Sequence, residues 1–281
     1  MNFPPPAALT NCPPPRAAHP SMLYDGMIIQ RLCLLSGLGL WSLALMAAPA
    51  FSAESASQRY QTCLRTANLD PARALAQATE WSKAKGGAPA EHCAAVSLVE
   101  LKRYPEAATR LDALGRAPAM GNLRSEIFDQ AGNAWMMAGD ADKAVASFSN
   151  ALTLSANDAD LYADLARAQA MKKSWGEAEA DLNEALRLQP RRPDFLVLRA
   201  SARDAEGKLK EARQDVDQAL ALKPSAPDAL VERGEISKHV GDVAAAKRDF
   251  ESVLKTEKSG EAAQSARQEL EALEAISNSS P

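Results

Sequence analysis

Small and large apolar residues return along this chain at one fixed interval. Ala144, Ala178, Ala212 and Ala246 stand 34 residues apart, and four residues after each come Phe148, Leu182, Val216 and Phe250. Seven residues after each come Ala151, Ala185, Ala219 and Val253. Offsets of four and seven fall on one face of an α-helix, so this half of the unit reads as an amphipathic helix. Twelve residues before each anchor stand Gly132, Ala166, Ala200 and Gly234, small enough for a second helix to come close. Between the halves lie Gly139, Lys173, Gly207 and Gly241; three of these four positions carry the residue that best tolerates left-handed backbone. Each unit is therefore predicted to be helix, tight turn, helix. One such pair cannot bury both of its apolar faces, so the units are expected to stack and to end in a polar-backed cap. Residues 261–276 fit the cap: Ala263, Ala266, Leu270 and Leu273 form one stripe, with Glu261, Gln264, Arg267, Gln268, Glu271 and Glu274 elsewhere on the wheel.

The same residues resemble the tetratricopeptide repeat family. Phe128, Ala131, Gly132, Trp135, Ala144, Phe148 and Ala151 match its signature in one unit, and Tyr162, Leu165, Ala166, Ala178, Leu182, Ala185 and Pro190 in the next. The resemblance covers residues 125–258 and reaches toward the N-terminus through Leu98, Tyr104, Ala107, Leu111 and Leu114, then Ala74 and Ala78. The step from Ala107 to Ala144 is three residues longer than the period, which places an insertion within 115–122. Arg199 and Arg233 depart from the family at a large apolar site, and Gln169, Arg203 and Ser237 replace an aromatic. The resemblance implies an all-α, right-handed α-α superhelix: two degenerate repeats over 54–121, four repeats over 122–258, and a capping helix and tail over 259–281.

Two segments precede the repeats. Residues 1–26 are crowded with proline and carry no apolar period, so they are expected to be disordered. Residues 27–53 read as a secretory signal peptide: a short basic start ending at Arg31, an apolar run from Leu32 to Ala48, and a small-residue zone with cleavage expected between Ala50 and Glu54. The run is shorter than the roughly 20 residues of a spanning helix, and Ser36, Gly37, Gly39 and Ser42 interrupt it. A leader in front of a signal peptide suggests that translation begins at Met27 or Met22. The expected location is the periplasm or outside the cell.

Composition narrows the function. The chain's formal charge is −4 with alternating signs, whereas nucleic-acid binding calls for clustered Lys and Arg, so nucleic acid is not expected as a partner. Of four cysteines, Cys12 and Cys33 leave with the leader and Cys63 and Cys93 remain. An oxidising compartment favours their pairing, and the family geometry, which sets first helices side by side, implies that they can meet. Two unpaired buried thiols are the alternative.

No metal-ligand spacing, phosphate-cradling glycine loop or nucleophile elbow occurs in the mature part, so no enzyme activity, cofactor or metal is expected. Glu126, Asp160, Asp194 and Asp228 recur once per unit. Each falls in the first turn of a helix, where a carboxylate is favoured by the helix dipole; capping is preferred over an acidic ladder that attracts a basic peptide. The resemblance implies that ligands lie in the concave groove lined by first helices. By alignment the candidates are Asp129, Asn133, Met136 and Met137 in one unit; Ala163, Arg167 and Met171 in the next; Val197, Ser201 and Asp204 in the third; and Glu235 and Lys238 in the fourth. The three methionines suit a groove that accepts varied apolar side chains. A carboxylate clamp of the kind some members use is not expected, because Asp164, Asp194 and Leu198 occupy its other positions.

The expected role is a scaffold binding a protein or peptide of the cell envelope. A chaperone for envelope or cytochrome precursors is the alternative on the same fold. An enzyme or glycan-binding site near Trp81, Lys83, Lys85 and His92 is the alternative of another class.

Overall fold

The computed structural model describes residues 55–279. The Pro-rich leader, the signal segment, its cleavage zone, Cys12 and Cys33 lie outside the described residues.

Helices follow one another in antiparallel pairs. α1 (Ala56–Leu69) packs on α2 (Pro71–Lys83), and α3 (Gly87–Glu100) on α4 (Tyr104–Arg116). A 3-10 helix over Pro118–Leu123 then takes up the longer spacing found in the sequence. Four pairs follow: α5 (Arg124–Met137) with α6 (Ala141–Leu154), α7 (Ala159–Met171) with α8 (Trp175–Leu188), α9 (Pro193–Ala205) with α10 (Leu209–Leu222), and α11 (Pro227–His239) with α12 (Val243–Thr256). The last helix, α13 (Glu261–Ser279), packs on α11 and α12 and buries Ala262, Ala263, Ala266 and Leu273. Each pair packs on the next, and the described residues contain no strand. The architecture is an all-α solenoid of helical hairpins.

The turn inside five of the six hairpins is built one way, whereas α1 and α2 are joined through Asp70 alone, whose φ is negative. Lys102, Gly139, Lys173, Gly207 and Gly241 all have positive φ, from 58° to 82°. In one of them the Ser174 N–H donates to the Gln169 carbonyl at 3.0 Å and the Lys173 N–H to Ala170 at 2.8 Å. Asp140 N–H to Trp135, Lys208 N–H to Arg203 and Asp242 N–H to Ser237 repeat the longer bond. This is the Schellman arrangement, which satisfies the last carbonyls of the first helix. In two hairpins the next residue caps the second helix: Asp140 accepts from the Lys143 N–H at 3.2 Å, and Asp242 from the Ala245 N–H at 2.9 Å.

Packing inside the hairpins pairs small with large. A Cβ added to Gly132 would sit 2.6 Å from the Phe148 ring, and one added to Gly234 2.5 Å from Phe250. The aligned positions in the two middle repeats combine Ala166 with Leu182 and Ala200 with Val216, all buried. The glycines thus make room for rings, and alanines suffice where the partner is aliphatic.

Cys63 on α1 and Cys93 on α3 lie at disulfide distance, with their Cα atoms 6.2 Å apart. That separation is inside the ~7 Å limit for bridging two cysteines.

Candidate functional site

First helices α7, α9, α11 and the capping α13 share one cleft of roughly 460 Å³, within the range of about 300–1,000 Å³ usual for ligand sites. Arg167 reaches it from α7. From α9 come Asp194, Val197, Leu198 and Ser201, and from α11 Asp228, Val231 and Glu232. The cap supplies Glu261, Ala262, Gln264, Ser265 and Gln268. Apolar Val197, Leu198 and Val231 therefore form part of a wall that also carries four carboxylates and one guanidinium.

Glu232 is the unusual member. Its Oε2 accepts from the Ser201 hydroxyl at 2.8 Å. Its Oε1 is shut off from solvent and has no hydrogen-bond partner among the described residues. Burial pushes its pKa up to about 8, with Asp204 and Glu235 adding to the rise and the Ser201 hydrogen bond opposing it. Burial, together with Asp228, also raises the Glu261 carboxyl.

Of the twelve groove candidates, the structure brings Arg167, Val197 and Ser201 into this cleft. Arg167 is held by Asp164 on its own helix. Asp129 lies on α5, half-buried, its Oδ1 accepting from Asn133 Nδ2 at 3.0 Å. Its pKa rises to about 8 through burial, with Asp164, Asp158, Glu126 and Asp160 adding to it. Asp204 is buried against His239 Nδ1 at 2.8 Å. Lys238 bridges Glu235 at 2.8 Å and Glu269 of the cap. The methionines separate. Met137 and Met171 end α5 and α7 with 41% and 38% of their surface exposed, but Met136 is 6% exposed inside the apolar core and Ala163 is fully buried. Met136 is therefore corrected from groove to core: its side chain packs in the apolar cluster with Trp135 and Leu165.

Glu232 is not among the residues that the sequence pattern singles out. Its aligned counterparts are Leu198, Asp164 and Gln130, so an acid stands there in two of the four repeats. The alignment displays that signal, but its burial is not visible in it.

Trp81, Lys83, Lys85 and His92 do not converge on a site. Trp81 is buried, with the Arg59 guanidinium 4.9 Å from its ring centroid. Lys83 pairs with Glu80 at 2.7 Å, and Lys85 forms the turn after α2. His92 meets the Tyr60 hydroxyl at 2.6 Å through Nδ1 and Gln130 at 2.8 Å through Nε2, so both ring nitrogens are engaged. Burial lowers its pKa, against the opposing influence of Gln130 and Glu126. No metal-competent cluster of His, Cys, Asp and Glu occurs among the described residues.

A stack of helical hairpins with a cleft along its first helices defines a class of protein-binding solenoid. The family model described as tetratricopeptide repeat matches residues 136–202, and the repeats within that stretch are tetratricopeptide repeats. Among solved structures the chain is similar to a thermophilic tetratricopeptide-repeat protein of Thermus thermophilus, at 17% identity over 64% of this chain and 94% of that one, with a TM-score of 0.53. It is also similar to MamA, residues 41 to the end, from Desulfovibrio magneticus, at 21% identity over 59% and 93%, with a TM-score of 0.51. At these identities the likeness concerns the fold. No curated protein matches the chain.

Proposed function

We propose that this protein is an exported scaffold that works in the periplasm or outside the cell, holding a protein or peptide partner of the cell envelope along its first helices. The cleft between α7, α9, α11 and α13 carries the reading: side chains from four successive layers of the stack meet there around one concavity with apolar and polar walls. Binding in such a groove is recognition of an extended or helical segment by a preorganised surface. No bond is made or broken. Export rests on the signal-peptide layout of residues 27–53 and is supported by the cysteine pair at disulfide distance.

The groove reading is tested by capture from envelope extract, comparing the wild-type chain with a Val197→Asp, Val231→Asp double variant and a Lys247→Glu control on α12. A partner lost only from the groove variant supports it; equal retention by all three refutes it. Export is tested by osmotic-shock fractionation with N-terminal sequencing of the released protein. A new N-terminus between Ala50 and Glu54 is expected, and retention in the cytoplasm with residues 27–53 intact counts against the location.

A further inference from the structure

We propose that the cleft between α9, α11 and α13 takes a positively charged segment of its partner, with one lysine or arginine side chain seated against the Glu232 carboxyl. The proposal deepens the groove reading and rests on it.

Two independent observations point to a cation. The first is the shielded Glu232 Oε1, which has no hydrogen-bond partner although the residue lines an open cleft. Ionising this carboxyl with one oxygen unpartnered in a shielded place is costly, and an ammonium or guanidinium supplies both the missing donor and the compensating charge. The terminal torsion of a glutamate is soft, so the carboxyl can turn either oxygen toward the cleft. The second is the charge of the walls. Beside Glu232, Asp228 and Glu261 pair with no cation among the described residues, and the cleft's one guanidinium, Arg167, is held by Asp164. Asp194 is paired with Arg192 at 2.7 Å. Negative walls of this kind draw in a basic segment and repel an acidic one.

Binding is then linked to a proton. Glu232 faces Ser201 and Asp204 from α9, Asp228 and Glu235 on its own helix, and Glu261 from the cap; the nearby Lys238 is already shared between Glu235 and Glu269. With its pKa pushed up to about 8, the free carboxyl keeps its proton at neutral pH. A seated cation favours the carboxylate, so the proton leaves to solvent as the segment binds. Affinity must therefore rise with pH until the free carboxyl is itself ionised, while lysine, with a pKa of about 10.4, stays charged throughout.

The test uses the full chain, immobilised, and four acetylated, amidated peptide libraries of randomised uncharged residues whose fixed central residue is lysine, arginine, glutamate or norleucine. Retention of the lysine and arginine libraries at least tenfold above the other two is expected, with binding that strengthens from pH 6.5 to 8.5. Glu232→Gln is expected to remove that preference and flatten the pH dependence. Its neutral amide resembles the protonated acid, so the fold should hold, which a thermal melt checks; Lys247→Glu, on the exposed face of α12 away from the cleft, should keep the preference. Equal retention of norleucine and lysine, or a preference that survives in Glu232→Gln, overturns the cation seat and leaves the groove reading standing. Spermidine competing as well as the peptides makes this a polyamine site and overturns the peptide proposal. Retention of no library overturns both readings.

Discussion

At the scale of single residues, the turns show what a side chain costs in left-handed backbone. Lys173 has φ +61°, where Gly139, Gly207 and Gly241 occupy the aligned turns. The cost for an L-residue there is about 1–2 kcal/mol, so Lys173→Gly is expected to stabilise the fold by about 1 kcal/mol and Gly207→Ala to destabilise it by a similar amount. Chemical denaturation of the two variants measures both signs in one experiment. Nothing lies within 4 Å of a Cβ added at Gly207, so the second loss is conformational and owes nothing to crowding. Gly132 is the opposite case, because its added Cβ would sit 2.6 Å from Phe148. Gly132→Ala is expected to cost about 1–3 kcal/mol through overpacking. Adding Phe148→Leu, which copies the Ala166 and Leu182 combination, should recover part of that loss. Additive losses in the double-mutant cycle would contradict the pairing of small with large.

Between elements, polar groups replace apolar ones where the sequence departs from its family. The Arg199 guanidinium meets Asp215 through Nε at 2.8 Å and Nη2 at 2.6 Å, and Arg203 Nη1 reaches the same carboxylate at 2.7 Å. Arg203 Nε also donates to Glu179 of α8 at 2.7 Å, tying α9 to both α8 and α10. One repeat later Arg233 meets Asp249 in the same two-pronged way, at 2.9 and 2.7 Å. The departures are thus compensated: Arg199 and Arg233 each meet an aspartate 16 residues on. Asp215 is buried, so Asp215→Ala removes the carboxylate shared by two guanidiniums, leaving Arg199 with only the neutral Asn183, and is expected to destabilise the chain by about 3–5 kcal/mol. Replacing Arg199 and Asp215 together by leucine should cost much less, because Arg203 keeps its bond to Glu179. Urea melts of both variants decide whether the pair behaves as a unit. At the other end, linking α1 to α3 across 30 residues gives a stabilisation of about 3–4 kcal/mol in the chain-entropy picture. Reductant should lower the melting temperature of wild type and leave a Cys63→Ser, Cys93→Ser variant unmoved.

Across the whole solenoid, burial has set acids where they would rather be neutral. Asp129 has a pKa of about 8 against an ordinary 3.8. The folded chain therefore keeps a proton there that the unfolded chain gives up near pH 4. Stability linked to this group is greatest at low pH and falls as pH rises from about 4 to 8. Asp129→Asn, which keeps an acceptor for Asn133, is expected to melt close to wild type near pH 4 and above it at pH 8.5. Calorimetry at the two pH values checks the sign, and a gap of the same size at both would remove the argument.

The repeating hairpins, their turns and the cap were legible in the sequence because each is set by contacts within about one period. Anchors such as Ala178 and Leu182 recur on a helical face, glycine marks most of the turns, and the stripe through Ala263, Ala266 and Leu270 ends the array. Even the size matching of Gly132 with Phe148 was written there, since both belong to one hairpin. The site was legible only in part. Arg167, Val197 and Ser201 were placed in the groove by register, but Met136 could not be told from groove residues, because one helical position decides between the core face and the open face. Glu232 could not be singled out at all: its burial depends on side chains from α9 and α13, and its single hydrogen bond comes from Ser201, 31 residues away. The sequence by itself determined which elements form and in what order, because helices and turns answer to neighbours along the chain. Only the tertiary structure decided which carboxylates lose their water, because desolvation depends on what other repeats bring up against them.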